Sequence, residues 1–272
     1  MTPLNSFFMK RKKEKHLIVR SRNTTCAPLK ELVVPRTTIL RLGSTTPTEE
    51  ITKNPNPREI NTAQACAISG NKIWMRQVLA KNNIPIAEGI CTNNIDDVLE
   101  FLEEHGTIIC KHIHSSKGKG IYLLSSKDEL KEWAEDHNLG NYVFEKYYTY
   151  TREYRLHVTK EGCFYTCRKM LKRDAKVRWH RHNVNSIWIV EENPLFDKPT
   201  NWDSIVDSCV KALKAIGLDI AAFDVKVQSN QHKEPKYIIL ESNSAPSLGE
   251  KGLERYKTIL TRIINEEELP NA

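Results

Sequence analysis

The run Ala221-Ala222-Phe223-Asp224-Val225-Lys226-Val227, followed by Tyr237-Ile238-Ile239-Leu240-Glu241-Ser242-Asn243-Ser244-Ala245-Pro246-Ser247, decides how the chain is read. Two apolar runs of strand length, separated by the polar segment Gln228 to Lys236, predict an antiparallel pair. Asp224 lies on the first strand. Glu241 and Asn243, two apart on the second, point to one face that Asp224 can reach. Magnesium takes carboxylate and carbonyl oxygens in a near-octahedral shell, keeps waters and borrows phosphate oxygens. The pair therefore reads either as a magnesium seat or as an ordinary hairpin with polar residues near its turn.

Around the hairpin the pattern alternates between strand and helix. Upstream of it come strands at Glu153 to Thr159 and Cys163 to Met170, an irregular basic stretch to about Asn185, a strand Ser186 to Val190 and a helix Trp202 to Ile216. A final helix follows from about Glu250 to Asn265. A separate α+β unit precedes these: a short strand Ile86 to Ile90, a helix Ile95 to Glu104 with Val98, Leu99 and Leu102 inward, strands Thr107 to His112 and Gly120 to Leu124, a helix Lys127 to His137 and a strand Tyr142 to Lys146. Before it, Asn71 is placed to cap a helix whose face carries Ile73, Trp74, Val78 and Leu79 through about Lys81, closed by Asn82-Asn83 and Pro85. Thr45 to Pro57, rich in Thr, Pro and Asn, reads as loop. Leu17 to Arg20 and Thr38 to Leu42 read as two strands of a small N-terminal α/β unit. The resulting division is a basic arm at 1–16, a reduced N-terminal domain at 17–69, and α+β subdomains at 70–149 and 150–272.

Composition narrows the class. With 272 residues, 39% apolar and 28% charged, the chain is that of a water-soluble globular protein. It has no run near the ~20 apolar residues that span a bilayer. Lys10-Arg11-Lys12-Lys13 is followed by the apolar segment Leu17-Ile18-Val19, too short for a secretory signal core. Seven dispersed cysteines without a CxxC pair argue for a reducing compartment, so the expected location is cytoplasmic. The formal charge of +7 favours anionic partners, whether nucleotide phosphate, nucleic acid or acidic peptide. The N-terminal Lys/Arg run reads as a solvated tail ahead of nucleic-acid contact.

Two further stretches carry chemistry. Lys111-His112-Ile113-His114-Ser115-Ser116-Lys117-Gly118-Lys119-Gly120 joins two strands. Its glycines permit close backbone approach and its lysines supply charge, so it can fold over a polyphosphate, although the Walker A spacing is absent and a mobile hairpin tip is the alternative. Phe144-Glu145-Lys146-Tyr147-Tyr148 runs from a strand into a linker, and offers either an aromatic slot for a flat base or core aromatics at a subdomain joint. Cys163, Cys167, His180 and His182 offer four zinc ligands, but a zinc site is disfavoured because His-x-His departs from the usual spacing.

Taken in order, Gly70-Asn71-Lys72, the strand lysine Lys111 with its Gly/Ser loop, Glu145 to Tyr148, Glu153, Asp224 and Glu241-x-Asn243 resemble an ATP-grasp enzyme from about Gly70 onward. The resemblance implies an ATP-grasp fold, α/β (α+β), with two subdomains gripping ATP. It implies that Lys72 and Lys111 contact the ATP phosphates, that Ser115, Ser116, Lys117 and Gly118 close over the triphosphate, and that Glu145, Lys146, Tyr147 and Tyr148 read adenine, mostly through backbone. Glu153 would hold the ribose hydroxyls. Asp224, Glu241 and Asn243 would carry one or two magnesium ions, with manganese an acceptable substitute.

Arg152-Glu153-Tyr154-Arg155-Leu156 with the later strand residue Arg168 is most similar to RimK-type ligases, which join a carboxylate to an amine through an acylphosphate. In that reading Arg155 and Arg168 stabilise the charge that spreads over phosphoryl and tetrahedral oxygens. The basic stretch places the carboxylate substrate, an amino acid or peptide, on Arg178 or Arg181, with Asn183 near the acyl phosphate. Arg41 and Ser44 are expected to close the far wall. Two other readings stand beside the ligase: an ATP-grasp kinase of small molecules, and a basic nucleic-acid-binding module on the same fold. The latter is disfavoured, since converging carboxylates repel one another without a cation.

Overall fold

The computed structural model describes residues 15–114, 119–179, 181 and 184–266. Residues 1–14 of the basic arm, Ser115, Ser116, Lys117, Gly118 and Asn183, together with His180 and His182, lie outside the described residues.

The N-terminal part is a parallel sheet of β1 (Leu17–Ser21), β2 (Thr38–Leu42) and β3 (Arg58–Ile60), in that order, with a 3-10 helix at Thr24–Glu31 between β1 and β2 and the short α1 (Thr48–Ile51) after β2. The strands at Leu17 and Thr38 match the sequence reading. α1 and β3 are too short to show a period, and α1 falls in the stretch read as loop.

Two capped helices follow, α2 (Ala63–Gly70) and α3 (Lys72–Lys81). The Thr62 hydroxyl accepts from the Ala65 amide, and the Asn71 side chain accepts from the Ile73 and Trp74 amides, which ends one helix and starts the next. The inward face of α3 is turned from the expected one: Met75, Arg76 and Leu79 are buried, and Trp74 is exposed. Arg76 takes an inward position because a buried carboxylate, described below, receives it.

β4 (Gly89–Ile90), α4 (Ile95–His105), β5 (Ile108–His112), β6 (Ile121–Leu124), α5 (Lys127–Glu135) and β7 (Tyr142–Lys146) form an antiparallel sheet of order β4-β7-β5-β6 covered by the two helices. Val98, Phe101 and Leu102 of α4 meet Leu130 and Trp133 of α5 over Ile108, Cys110 and Phe144. Their spacing makes one apolar stripe per helix.

β8 (Arg152–Thr159), β9 (Gly162–Leu171), β10 (Ser186–Val190), α6 (Trp202–Ile216), β11 (Ile220–Val227), β12 (Tyr237–Asn243) and α7 (Glu250–Glu266) complete the chain. The five strands are antiparallel in the order β10-β9-β8-β11-β12, so the expected hairpin β11–β12 forms one edge. One sheet face is the largest core: Tyr154, Leu156, Val158, Phe223 and Val225 pack against Ile205, Cys209, Ala212 and Leu213 of α6 and against Met75 and Leu79 of α3. Residues of α3 thus sit with the five-stranded sheet, although the chain next enters the four-stranded one. α7 turns back instead to the N-terminal sheet, where Tyr256, Ile259, Leu260 and Ile264 join Leu29, Leu40, Leu42 and Ile60. Arg58 donates to the carbonyls of Ile263 at 2.5 Å and Ile264 at 2.7 Å, satisfying orphan acceptors at the helix end.

All seven cysteines are free. Among the described residues no helix is long and apolar enough to cross a membrane.

Candidate active site

The second face of the five-stranded sheet carries charge. Directly opposed residues of an antiparallel ladder project to the same side. The registers therefore set Glu241, Asp224, Arg155 and Cys167 in one row across β12, β11, β8 and β9. The next row runs Lys226, Glu153, Lys169 and Trp188 across β11, β8, β9 and β10. A break in register between Asp224 and Val225 marks a bulge beside the acidic residues, a local distortion that re-aims side chains.

Asp224 is buried and gripped by Arg155, whose Nε and Nη2 donate to its two oxygens at 2.6 and 2.7 Å. The fork geometry matches a carboxylate bidentately. Burial pushes the Asp224 carboxyl up, and the Arg155 charge and hydrogen bonds outweigh it, so it titrates below its ordinary value. Glu241 is held above the usual carboxylate range, first by burial and then by the Asp224 charge. Asn243 Nδ2 donates to Glu241 Oε1 at 3.2 Å, and Arg155 Nη2 lies 4.0 Å from the same oxygen. Two carboxylates and an amide converge, with a guanidinium as their counter-charge. Arg155 also stacks over Trp188, 4.7 Å from the ring centre, and Lys169 lies 5.2 Å from it.

In the four-stranded sheet, β5 carries Lys111. Its ammonium pairs with the buried Glu145 of β7, whose other oxygen accepts from Arg76 at 2.6 Å. Lys72, at the start of α3, feels Glu241 on one side and Lys111 with Glu145 on the other; burial, the larger effect, lowers its pKa. Lys72 thus stands between the acidic cluster and the four-stranded sheet. The linker 147–151 joins the two sheets. Tyr147 N donates to Thr107 O at 3.0 Å, and Lys226 Nζ donates to Tyr148 O at 2.6 Å while lying 5.0 Å from the Tyr147 ring centre. Burial brings the Lys226 ammonium down to about 8.

The remaining sequence-predicted residues fall into two groups. Glu153 is on the charged face, 3.6 Å from Lys169 and 3.9 Å from Arg181, and burial raises its pKa. Arg181 reaches back to Thr151 O in the linker, and Arg178 is exposed nearby. Lys146 lies 3.7 Å from Glu88, and its amide donates to Glu88 O. Glu145 is adjacent to this linker by its backbone, but its side chain turns inward to Lys111 and Arg76.

Three residues are not brought to the cluster. Arg168 opposes Tyr154, so it projects to the α6 side, where it pairs with Asp197 and donates to Leu195 O at 2.9 Å. Arg41 is fully buried in the N-terminal sheet and spends its donors on Glu59 at 2.6 Å, Thr48 Oγ1 at 2.8 Å and Thr46 O. Ser44 donates to Thr46 Oγ1 at 3.2 Å and shapes a local turn. Lys226, Lys169, Trp188 and Arg76 were missed. The period-two spacing of Lys226 from Asp224 was a readable signal for the first, but the others needed the strand register.

No family model matches the chain. Among solved structures, the ATP-grasp ligase PsnB complexed with minimal precursor superposes with TM-score 0.63 at 15% identity, over 93% of this chain and 100% of that one. D-alanyl-alanine synthetase A from Vibrio cholerae gives TM-score 0.64 at 14% identity, over 85% of this chain and 77% of that one. A RimK domain ATP-grasp protein from Sphaerobacter thermophilus gives 0.59 at 11% identity, over 92% and 99%. A phosphoribosylamine–glycine ligase from Pyrococcus horikoshii is 29% identical over 80 residues, which is 27% of this chain and 18% of the relative's length. The chain has the ATP-grasp fold.

Proposed function

We propose that this chain, built on the ATP-grasp fold, is an ATP- and magnesium-dependent ligase that joins a carboxylate to an amine through an acylphosphate and releases ADP. The observation that carries the reading is the convergence of Asp224, Glu241 and Asn243, with Lys72 within electrostatic reach of both Glu241 and Lys111. The donor set is all oxygen and suits a hard cation: Glu241 is held above its ordinary range first by burial and then by the carboxylate facing it, a repulsion that a divalent ion would relieve. PsnB structures with magnesium and ADP support the same pairing at the level of the fold.

In this reading Lys72 and Lys111 hold phosphate oxygens, and Tyr147 and Tyr148 face the base. The loop lysine and serines at 115–118, outside the described residues, would contribute to triphosphate binding, and Glu153 would meet the ribose. Asp224, Glu241 and Asn243 would hold one or two magnesium ions, which would supply Lewis-acid charge to the phosphates. Arg155, which donates to both oxygens of Asp224, would with a cation held there be available to the negative charge that develops at the reacting centre. The substrate carboxylate oxygen attacks the γ-phosphorus and the bond to ADP breaks. The amine then attacks the acyl carbon, phosphate leaves, and the amine gives up a proton to form the amide. Arg178 and Arg181, with Asn183, bind the carboxylate substrate, an amino acid or an acidic peptide. In this reading the protein works in the cytoplasm, and its three units have their boundaries near residues 69 and 149.

The test is an ADP-release screen with magnesium-ATP over amino acids and acidic peptides, each with and without an amine, followed by mass spectrometry of the product. Amine-dependent phosphate release with an amide product is the expected result. A phosphorylated product formed without amine would establish a kinase instead. Absence of ATP binding by calorimetry in the presence of magnesium would end the reading.

A further inference from the structure

Outside the cleft, Glu88, Glu104 and His105 bring one ligand atom each to within 4.8 Å of one another. His105 Nε2 lies 3.4 Å from a Glu88 oxygen and 4.0 Å from a Glu104 oxygen. The two carboxylates are 53% and 67% exposed, yet the imidazole is 5% exposed. Its Nε2 is buried without a hydrogen-bond partner among the described residues. A buried polar atom left in that state costs on the order of 1–3 kcal/mol and asks for an explanation.

The local structure holds this nitrogen in place. His105 is the last residue of α4, and its ring stands edge-on to Phe101 with centroids 4.4 Å apart. The carboxylates approach from two different elements, Glu104 from the same helix end and Glu88 from the residue before β4. In a tetrahedral zinc site with bonds of roughly 2.0–2.1 Å, ligand atoms lie about 3.4 Å apart. The Glu88–His105 separation has that value already, and the exposed Glu104 can close the rest by a rotamer change.

We propose that Glu88, Glu104 and His105 bind one borderline divalent cation of the zinc class, with water completing the shell. One imidazole nitrogen with two carboxylate oxygens suits zinc, whereas magnesium favours all-oxygen octahedral sites. The site adjoins the linker between the two larger sheets: Glu88 N donates to the Tyr148 hydroxyl at 3.3 Å, and Glu88 O accepts from Lys146 N at 2.9 Å. A cation there ties the end of α4 to the backbone that carries Lys146 and Tyr148. It also draws the Glu88 carboxylate away from Lys146, 3.7 Å off.

The experiment is a calorimetric titration of the full chain with zinc, nucleotide-free and in excess magnesium so that hard oxygen sites are already filled. Wild type, Glu104→Gln, His105→Ala and Asp224→Asn are compared. Wild type and Asp224→Asn are expected to share an equivalent of zinc that Glu104→Gln binds about tenfold or more weakly and that His105→Ala loses. Glu104 is exposed, so its variant keeps the fold and decides the matter if His105→Ala is unstable. The proposal is overturned if wild type binds no zinc, if both ligand variants bind it as wild type does, or if Asp224→Asn abolishes the equivalent and so assigns it to the cleft.

Discussion

Arg155→Leu tests the electrostatic logic of the cleft without any substrate. The substitution removes two charge-assisted hydrogen bonds, 2.6 and 2.7 Å long, from a carboxylate whose side chain is 7% exposed. Deleting one partner of a buried pair typically costs about 3–5 kcal/mol. Asp224 can escape by taking up a proton, and from an ordinary carboxylate value that step costs about 4 kcal/mol at pH 7, which caps the loss. At ~2–4 °C per kcal/mol for a chain of this size, the midpoint of thermal unfolding should fall by about 6–16 °C. The sign with pH follows from the depressed native pKa of Asp224. Its contribution is present above the unfolded value near ~3.9 and is lost as pH falls through the native value. The gap between wild type and variant is therefore widest near neutrality and closes as the solution is acidified. Magnesium should narrow it too, because a cation on Asp224 and Glu241 replaces the lost guanidinium. Unfolding curves at neutral and acidic pH, with and without magnesium, measure all of this. A gap below about 1 kcal/mol at pH 7, or one that neither acid nor magnesium changes, would refute the reasoning.

Three other outcomes are expected. Lys111→Ala should weaken ATP binding about 10- to 100-fold, the worth of one hydrogen bond to a charged group, with calorimetry as the measure and equal affinity as the contrary result. Arg41→Ala should destabilise the fold by about 3–5 kcal/mol in denaturant titration while leaving the KM of every substrate unchanged, since Arg41 is a buried structural cation. His157, which burial brings down to about 3, stays neutral beside the Tyr256 hydroxyl while the unfolded chain takes up a proton. From the unfolded value near ~6.5 downward, stability therefore drops by about 1.4 kcal/mol per pH unit on its account, and His157→Gln should flatten the measured slope between pH 6 and 4 by that amount.

Strands and helices with a long apolar period were legible. The β11–β12 pair, α4, α5 and α6 stand where their side-chain patterns put them, and Asn71 caps the helix it was expected to cap. Ion partnerships were not legible, because they depend on register. Arg155 and Arg168 look alike in the sequence, but Arg155 opposes Cys167 while Arg168 opposes Tyr154, which sends the two guanidinium groups to opposite faces. A slip of one residue would exchange them. Glu145 likewise meets Lys111 diagonally, since Ile109 opposes Glu145 and Lys111 opposes Val143. Arg41 shows the converse limit. Its neighbours in sequence gave no hint that Glu59 and Thr48 would enclose it, because those contacts arise only when β3 joins β2.

The last helix has a consequence for how the protein is made. The parallel N-terminal sheet precedes α7 in synthesis, yet its core is completed by Tyr256, Ile259, Leu260 and Ile264, and its Arg58 reaches a carbonyl 206 positions later. Contacts of such sequence separation form late, because loop closure must precede them. Until α7 is synthesised, Leu40, Leu42 and Ile60 lack their cover. The N-terminal sheet thus completes its core only after α7 has been made, and until then its apolar face is open to wrong partners.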